Sequence, residues 1–416
     1  MLVLPALTDV MDHSGTLLLD LFLMFAGGKA LAEVFERLRQ PAVVGELLAG
    51  VILGPTLLGL LRPSELTLGL AEIGAIFLLF TVGLETRPRD LLEVGWTASL
   101  VAVLGVALPF ALGFFYLRMI DHAMVESIFV GAAMVATSVG ITARVLADAG
   151  VLSTRVARVI LGAAVLDDIL GMIVLAVVSS LSTGQVNYLS LGIVAAEAIG
   201  FSLLTIFFGS RVLGRFRPAV ARLRARNAAF VLSVILCLGL SLASVYIGMA
   251  AIIGAFLAGL ALADYSEEYQ LQANAHPIME FLAPFFFVLL GAQVNLRSVY
   301  QPGLVGIIVV ICLLAIISKL IGCGLGALAL GFRDALRIGV GMIPRGEVGL
   351  IVAGVGLRLH TISEAVYTVV LSMSIVTTLF APPVLRLLLA TGGKSSPPQG
   401  PAAGGPGGTA EGAPAI

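Results

Sequence analysis

The chain has 416 residues, 59% hydrophobic and only 12% charged, with a mean hydropathy of +1.08. A water-soluble domain carries about 25% charged residues, so this is an all-α polytopic membrane protein. Its net charge of −1 gives nucleic acid nothing to hold, and its long apolar runs exclude a β-barrel, whose strands alternate every second residue.

About 20 apolar residues cross a bilayer as a helix. On that measure the sequence predicts thirteen spans, at roughly 16–37, 41–60, 66–86, 94–117, 125–146, 154–181, 188–212, 227–246, 248–264, 277–294, 303–331, 335–357 and 362–389. The N-terminus is acidic (Asp9, Asp12) and lacks the basic segment of a cleavable signal peptide. Positive loop residues fix orientation. With the N-terminus outside, the inner loops and tail hold 17 Arg and Lys, Arg144 among them, against 4 outside. The predicted arrangement is therefore N-terminus out and C-terminus cytoplasmic, which needs an odd number of spans. Basic residues are 21 Arg and 3 Lys, which makes each lysine informative: Lys29 lies in the first span and Lys319 deep in the eleventh.

The fifth span reads GAAMVATSVGITARVL, with Thr137, Ser138 and Gly140 at its middle. A break there frees backbone carbonyls and presents two hydroxyls, the oxygen ligands that hard monovalent cations take. The sixth span, LGAAVLDDILGMIVL, places Asp167 and Asp168 side by side in an apolar run. A carboxylate at a helix centre costs roughly 2.5–3.5 kcal/mol, so two of them imply a task or a neutraliser. Neighbours on a helix point about 100° apart; one carboxylate can face a cavity while the other faces an adjacent helix.

The arginine-rich stretch from Arg211 to Arg226 is a cytoplasmic linker between two halves. Lys319, in IISKLIGCG, needs a counter-charge, and the aspartate pair is the obvious one. Lysine, unlike arginine, can give up its proton when desolvated. The twelfth span, IGVGMIPRGEVGLIVAG, is interrupted by Pro344, Arg345, Gly346 and Glu347. Charges at such a break compensate the partial charges of half-helix ends. Interrupted spans at matching places in two halves point to a secondary-transporter site, and six spans either side of one linking span make the repeat inverted. The cysteines Cys237, Cys312 and Cys323 lie in apolar spans without metal-ligand spacing and serve packing. From Gly392 the tail is Gly/Pro/Ala/Ser-rich and predicted to be disordered, with no nucleotide-binding domain after it.

Taken together, VLDDILGM, ATSVGIT, SKLIG, IPRGEVGLI, GELLAGVILGP and IFLLFTVGLE resemble the bacterial monovalent cation/proton antiporter superfamily, most nearly its NapA-like sodium/proton branch. The glutathione-gated potassium efflux members carry Gln-Asp where this chain has Asp167–Asp168. The resemblance implies a NapA/NhaA-like fold with spans five and twelve crossing at their breaks. It implies a homodimer, with a dimerisation part (about 16–86 and 227–294), a core transport part (about 94–181 and 303–389) and a linker helix (about 188–212). Asp168 would be the ion- and proton-binding carboxylate, Asp167 the partner of Lys319, and Thr137 and Ser138 would lie at the crossing, so Asp168, Thr137 and Ser138 are the candidate ligands of the cation. Arg345 and Glu347 would sit at the same crossing. No cofactor and no enzymatic activity is implied: sodium and protons are the cargo, and lipid the surroundings, in the inner (cell) membrane of a bacterium.

In this reading, protons and a cation compete for one carboxylate. An occupied site is neutral and crosses; a bare carboxylate resists burial, which enforces exchange. If Lys319 also releases its proton, two protons move per cation and exchange is electrogenic. A potassium/proton antiporter and, further off, a sodium-coupled organic-solute symporter of the same fold are the alternatives. An intramembrane aspartyl protease needs its aspartates on facing helices, and a channel would leave the broken repeat unexplained.

Overall fold

The structure, a computed structural model, describes residues 13–55, 57–61, 63–182, 192–193, 196–205, 227–293, 304–345, 349, 353, 356–357 and 361–390. Glu347, the Arg211–Arg226 stretch and the tail from Gly392 fall outside them. Apolar runs become helices here because a segment without water must satisfy its backbone polar groups internally. In order these are α1 (His13–Arg37), α2 (Ala42–Leu53), α3 (Glu65–Leu84), the short α4 (Pro88–Glu93), α5 (Gly95–Met119), α6 (Met124–Ala133), α7 (Val139–Asp148) and α8 (Arg155–Ser182). There follow α9 (Ala196–Thr205), α10 (Ala228–Tyr246), α11 (Ala251–Leu262), α12 (Leu271–Ala292), α13 (Leu304–Gly326), α14 (Phe332–Gly341) and α15 (Glu364–Ala390).

Six of these, α3, α5, α10, α12, α13 and α15, are long and apolar enough to cross a membrane alone. Helices α2, α6, α9 and α11 are apolar but shorter, and α1 and α8 are 25 and 28 residues long with two charged side chains inside their apolar runs. The thirteen spans therefore remain a reading of the sequence. Two boundaries differ from it or sharpen it. Helix α12 starts at Leu271, ahead of the expected 277, and runs on through Pro277 and Pro284. Helices α10 and α11 part at Gly248, whose φ of 88° is open to glycine at little cost. At α3 the start is fixed by a capping box, with Ser64 and Thr67 each satisfying the other's backbone N–H.

Packing sorts the helices. Helices α1, α2, α3, α10, α11 and α12 pack on one another, with α12 and α11 both lying along α3. Helices α5, α6, α7, α8, α13, α14 and α15 pack in a second set, in which α5 lies against both α8 and α13. The sets meet mainly where α7 lies on α2 and α3 and where α15 lies on α2. The first set is drawn together by glycine. A methyl group built on Gly259 would run into the carbonyl of Phe80, and one on Gly83 into that of Phe256, so α3 and α11 touch backbone to backbone. Small residues permit such approach where lipid offers no hydrophobic drive between helices.

Candidate functional site

Asp167 and Asp168 lie near the middle of α8. Asp167 is 2% exposed, while Asp168 is half-buried. Lys319, on α13, is fully buried, and its Nζ donates to Asp167 Oδ1 at 2.9 Å. Close packing of α5 on α13 makes this reach possible: Gly322 lies on the backbone of Leu104, and Gly326 on that of Val101. Gly105 leaves the room the ammonium needs, since a Cβ there would stand 2.6 Å from Cys323 Sγ and 3.5 Å from Lys319 Nζ. Neither charge of the pair meets solvent, so each depends on the other.

The fifth apolar segment breaks between α6 and α7, where Ser138 is extended (φ −89°, ψ 100°). The twelfth breaks after α14, at Met342 to Arg345. The two breaks touch. Ser138 N donates to the carbonyl of Pro344 at 2.8 Å, Thr142 Oγ1 to that of Gly341 at 2.6 Å, and Thr137 Oγ1 approaches that of Met342 at 3.5 Å. A helix end leaves carbonyls without partners. Arg345, 1% exposed, meets that need at α6: its Nη1 donates to the carbonyls of Val135 (2.9 Å) and Ala136 (2.8 Å), and its Nη2 reaches Ala315 O at 3.4 Å. Thr378, from α15, donates to Arg345's own carbonyl at 2.6 Å. Two of the carbonyls that the break frees are thus engaged by a guanidinium. Thr137 is partly exposed and Ser138 is 4% exposed.

Thr378 and Gly105 carry no charge and form no motif, so nothing in the sequence singled them out, and Thr142 closes the ATSVGIT segment without standing out in it. Arg144 corrects the loop count. It sits in α7, is 5% exposed, and pairs with Asp148 and Glu280 at 3.0 Å each. Counted with the inner loops although it falls within the expected span 125–146, it is a buried residue of the helix that follows the break.

Cavities flank this region. A polar one of about 750 Å³ lies where Glu85, Arg87, Arg158, Asp264 and Glu267 meet. Another, of about 450 Å³, is lined by Glu72, Met249, Ala250, Phe286 and Gln293. Along α3 and α11 the stretch between them holds a small apolar pocket of Leu79, Val139, Leu161, Val165, Ile253 and Phe256. Asp168 is three residues past Val165, about 4.5 Å along the axis, on the side away from Arg158.

A sequence profile described as "Sodium/hydrogen exchanger, transmembrane" matches residues 21–391. The chain is similar to the high-affinity Na(+)/H(+) antiporter NhaS3 of Synechocystis sp., 36% identical over 426 residues and 92% of each chain. It is similar also to the Na(+)/H(+)-K(+) antiporter GerN of Bacillus cereus, 33% identical over 368 residues, 88% of this chain and 94% of that one. Among solved structures, the sodium proton antiporter MjNhaP1 of Methanocaldococcus jannaschii shares the fold, with a TM-score of 0.65 at 21% identity over 92% of this chain and 96% of that one.

Proposed function

From the premise that the chain belongs to the sodium/hydrogen exchanger family, in the NhaP/NapA-like branch of the monovalent cation/proton antiporters, we propose that it is a secondary active sodium/proton antiporter working through Asp168. It is a transporter, not an enzyme. The carrying observation is a half-buried carboxylate beside a buried Asp167–Lys319 pair, at two touching helix breaks.

Each residue then has a task. Asp168 binds either the cation or a proton, with the hydroxyls of Thr137 and Ser138 as further oxygen donors. Lys319 holds Asp167 while the site is protonated. If the arriving cation displaces that pairing and Lys319 gives up its proton, two protons exchange for one cation and transport is electrogenic. Arg345 fixes the break of the fifth span, and Glu347 belongs to the same crossing. The thirteen spans form an inverted repeat in which spans five and twelve cross. The α5–α8 and α13–α15 set is the moving core, and the α1–α3 and α10–α12 set is the frame and the contact of a homodimer, with the segment of about 188–212 linking them.

Alternating access follows from the cavities. With the N-terminus outside and the C-terminus in the cytoplasm of a bacterial cell, the arginine-lined cavity opens inward. The apolar layer of Leu79, Val165, Ile253 and Phe256 stands between it and Asp168. A bare carboxylate resists passing such a layer, because burying an unpaired charge costs several kcal/mol; a cation or proton on Asp168 removes that cost.

The test is dissipation of a proton gradient in inverted membrane vesicles on adding sodium, lithium or potassium, with the native chain and with Asp168→Asn. Salt-driven collapse that vanishes in the variant is the expected result. A variant as active as the native chain would remove Asp168 from the mechanism. Potassium is the second cation to try first, because the similar Bacillus cereus protein is named for it as well as sodium. Proton movement only with an organic solute present would favour a symporter.

A further inference from the structure

A small cavity of about 30 Å³ lies between the two helix sets, beside the crossing of the breaks. Leu47 and Val51 of α2 close it from the first set, and Arg345 with Ser374 and Thr378 of α15 from the second. Leu290 and Gln293, at the C-terminal end of α12, line both this cavity and the one of about 450 Å³, which gives a small solute a way in. Two of the residues on its walls carry a buried polar atom without a hydrogen-bond partner among the described residues: Arg345 at Nε and Ser374 at Oγ. They are 1% and 3% exposed. The neighbouring polar groups are engaged. Arg345 Nη1 and Nη2 hold the carbonyls of Val135, Ala136 and Ala315, and Thr378 Oγ1 donates to the carbonyl of Arg345.

The guanidinium is a buried charge that no carboxylate answers. Among the described residues none comes within ion-pair distance of it: its bonds go to neutral carbonyls, and Asp167, whose field reaches it, is held by Lys319. A buried charge without a counter-charge is costly. The unused groups fit a ligand of one kind. A guanidinium Nε–H can only donate, and a serine hydroxyl can donate. Leu47, Val51 and Leu290 offer their apolar side chains and no acceptor. A water molecule here would have two partners, the low end of what buried water takes, and would leave the charge unanswered. An anion uses both donors and answers it. The space exceeds the roughly 10–15 Å³ that one water needs, so it admits a monatomic ion larger than water and excludes an organic anion such as gluconate.

We propose that this cavity is a binding site for a small monovalent anion, chloride among the common ions, held by Arg345 Nε–H and the Ser374 hydroxyl at the boundary of the two helix sets. The bound anion offsets a positive charge at the crossing. A cation arriving at Asp168 then meets less repulsion, so anion and cation bind with positive coupling, and each raises the other's affinity by the same factor. That consequence, unlike the anion site itself, rests on the reading of Asp168 as the exchange carboxylate.

The test has two arms, both on the full chain in detergent. In the first, radioactive chloride binding is read by scintillation proximity, with choline as the only added cation. Binding should saturate at one chloride per chain. With gluconate as the reference at equal ionic strength, the melting temperature should rise by about 3 °C once chloride reaches about one hundred times its dissociation constant. Ser374→Ala, which loses a hydrogen bond to a charged ligand, should bind chloride about tenfold more weakly or worse. Ser374→Thr, which keeps a hydroxyl, should bind as the native protein does. Absence of saturable binding, or a Ser374→Ala protein that binds chloride like the native one, overturns the proposal. So does chloride binding that appears only in Glu347→Gln, since the native side chain would then hold the place. In the second arm, sodium is titrated into the melt in chloride and in gluconate. Half the sodium-induced shift should come at about fivefold lower sodium in chloride, the size of an ordinary coupling between sites, and at equal sodium in Ser374→Ala. An equal requirement in the native protein overturns the coupling. Failure of the Asp168 reading shows separately, as a sodium shift that survives in Asp168→Asn; the chloride arm judges the anion site either way.

Discussion

Replacing Lys319 by glutamine should destabilise the protein by stranding a buried carboxylate. The Lys319–Asp167 contact is 2.9 Å long, with side chains 0% and 2% exposed. Breaking such a buried pair by removing one partner costs about 3–5 kcal/mol. An unfolding entropy near 2.1 cal/mol/K per residue over 416 residues comes to about 0.9 kcal/mol/K, so the melting temperature should drop by about 3–6 °C at pH 7. The double variant Asp167→Asn/Lys319→Gln replaces the ion pair by a neutral hydrogen bond and should melt within about 1 °C of the native protein. Thermal unfolding of the four proteins in detergent gives the complete cycle. A Lys319→Gln protein as stable as the native one at pH 7, or one destabilised equally by its double variant, would refute the claim that these charges depend on each other.

Arg345→Lys should lower salt-driven exchange in vesicles about tenfold or more, because an ammonium lacks the planar fork that reaches Val135 O, Ala136 O and Ala315 O together. Gly105→Ala brings a methyl carbon to 2.6 Å from Cys323 Sγ and should cost about 1–3 kcal/mol of stability as overpacking. Adding Cys323→Ala should recover much of that loss in a melt. Phe256→Ala, at a side chain 1% exposed in the apolar layer, should cost about 3–5 kcal/mol and let a proton gradient decay without added salt.

Much of the helical architecture was legible because membrane spans announce themselves by composition, independent of any tertiary contact. Asp167, Asp168 and Lys319 were legible for the same reason, since a charge in hydrocarbon needs a partner. What stayed hidden depends on backbone geometry. Nothing in the letters says that Ser138 N will meet the carbonyl of Pro344, or that Gly105 keeps a hole for an ammonium, because many glycines in this chain do no more than narrow a helix. Arg144 was misread on different grounds. It lies near the end of the expected span 125–146 and was counted with the inner loops for its charge, but the helix that restarts at Val139 brings it to Glu280, on a helix far away in sequence. Charge pairs between distant helices leave no local signature.

Where the charges sit also bears on how such a molecule can move. Asp167–Lys319 lies inside one helix set, on α8 and α13, and Arg345 bonds to carbonyls before α7 and on α13, within the same set. Those bonds travel with the site and need not break when it crosses. Between the sets the contacts of Leu79, Ile253 and Phe256 with Val139, Leu161 and Val165 are apolar. Apolar contact is non-directional, so one such contact exchanges for another at small cost as the surfaces slide. The ion pair of Arg144 with Glu280 across the same boundary is directional and would be lost on displacement. Among the described residues, sliding of one set on the other would therefore cost most at the Arg144–Glu280 pair.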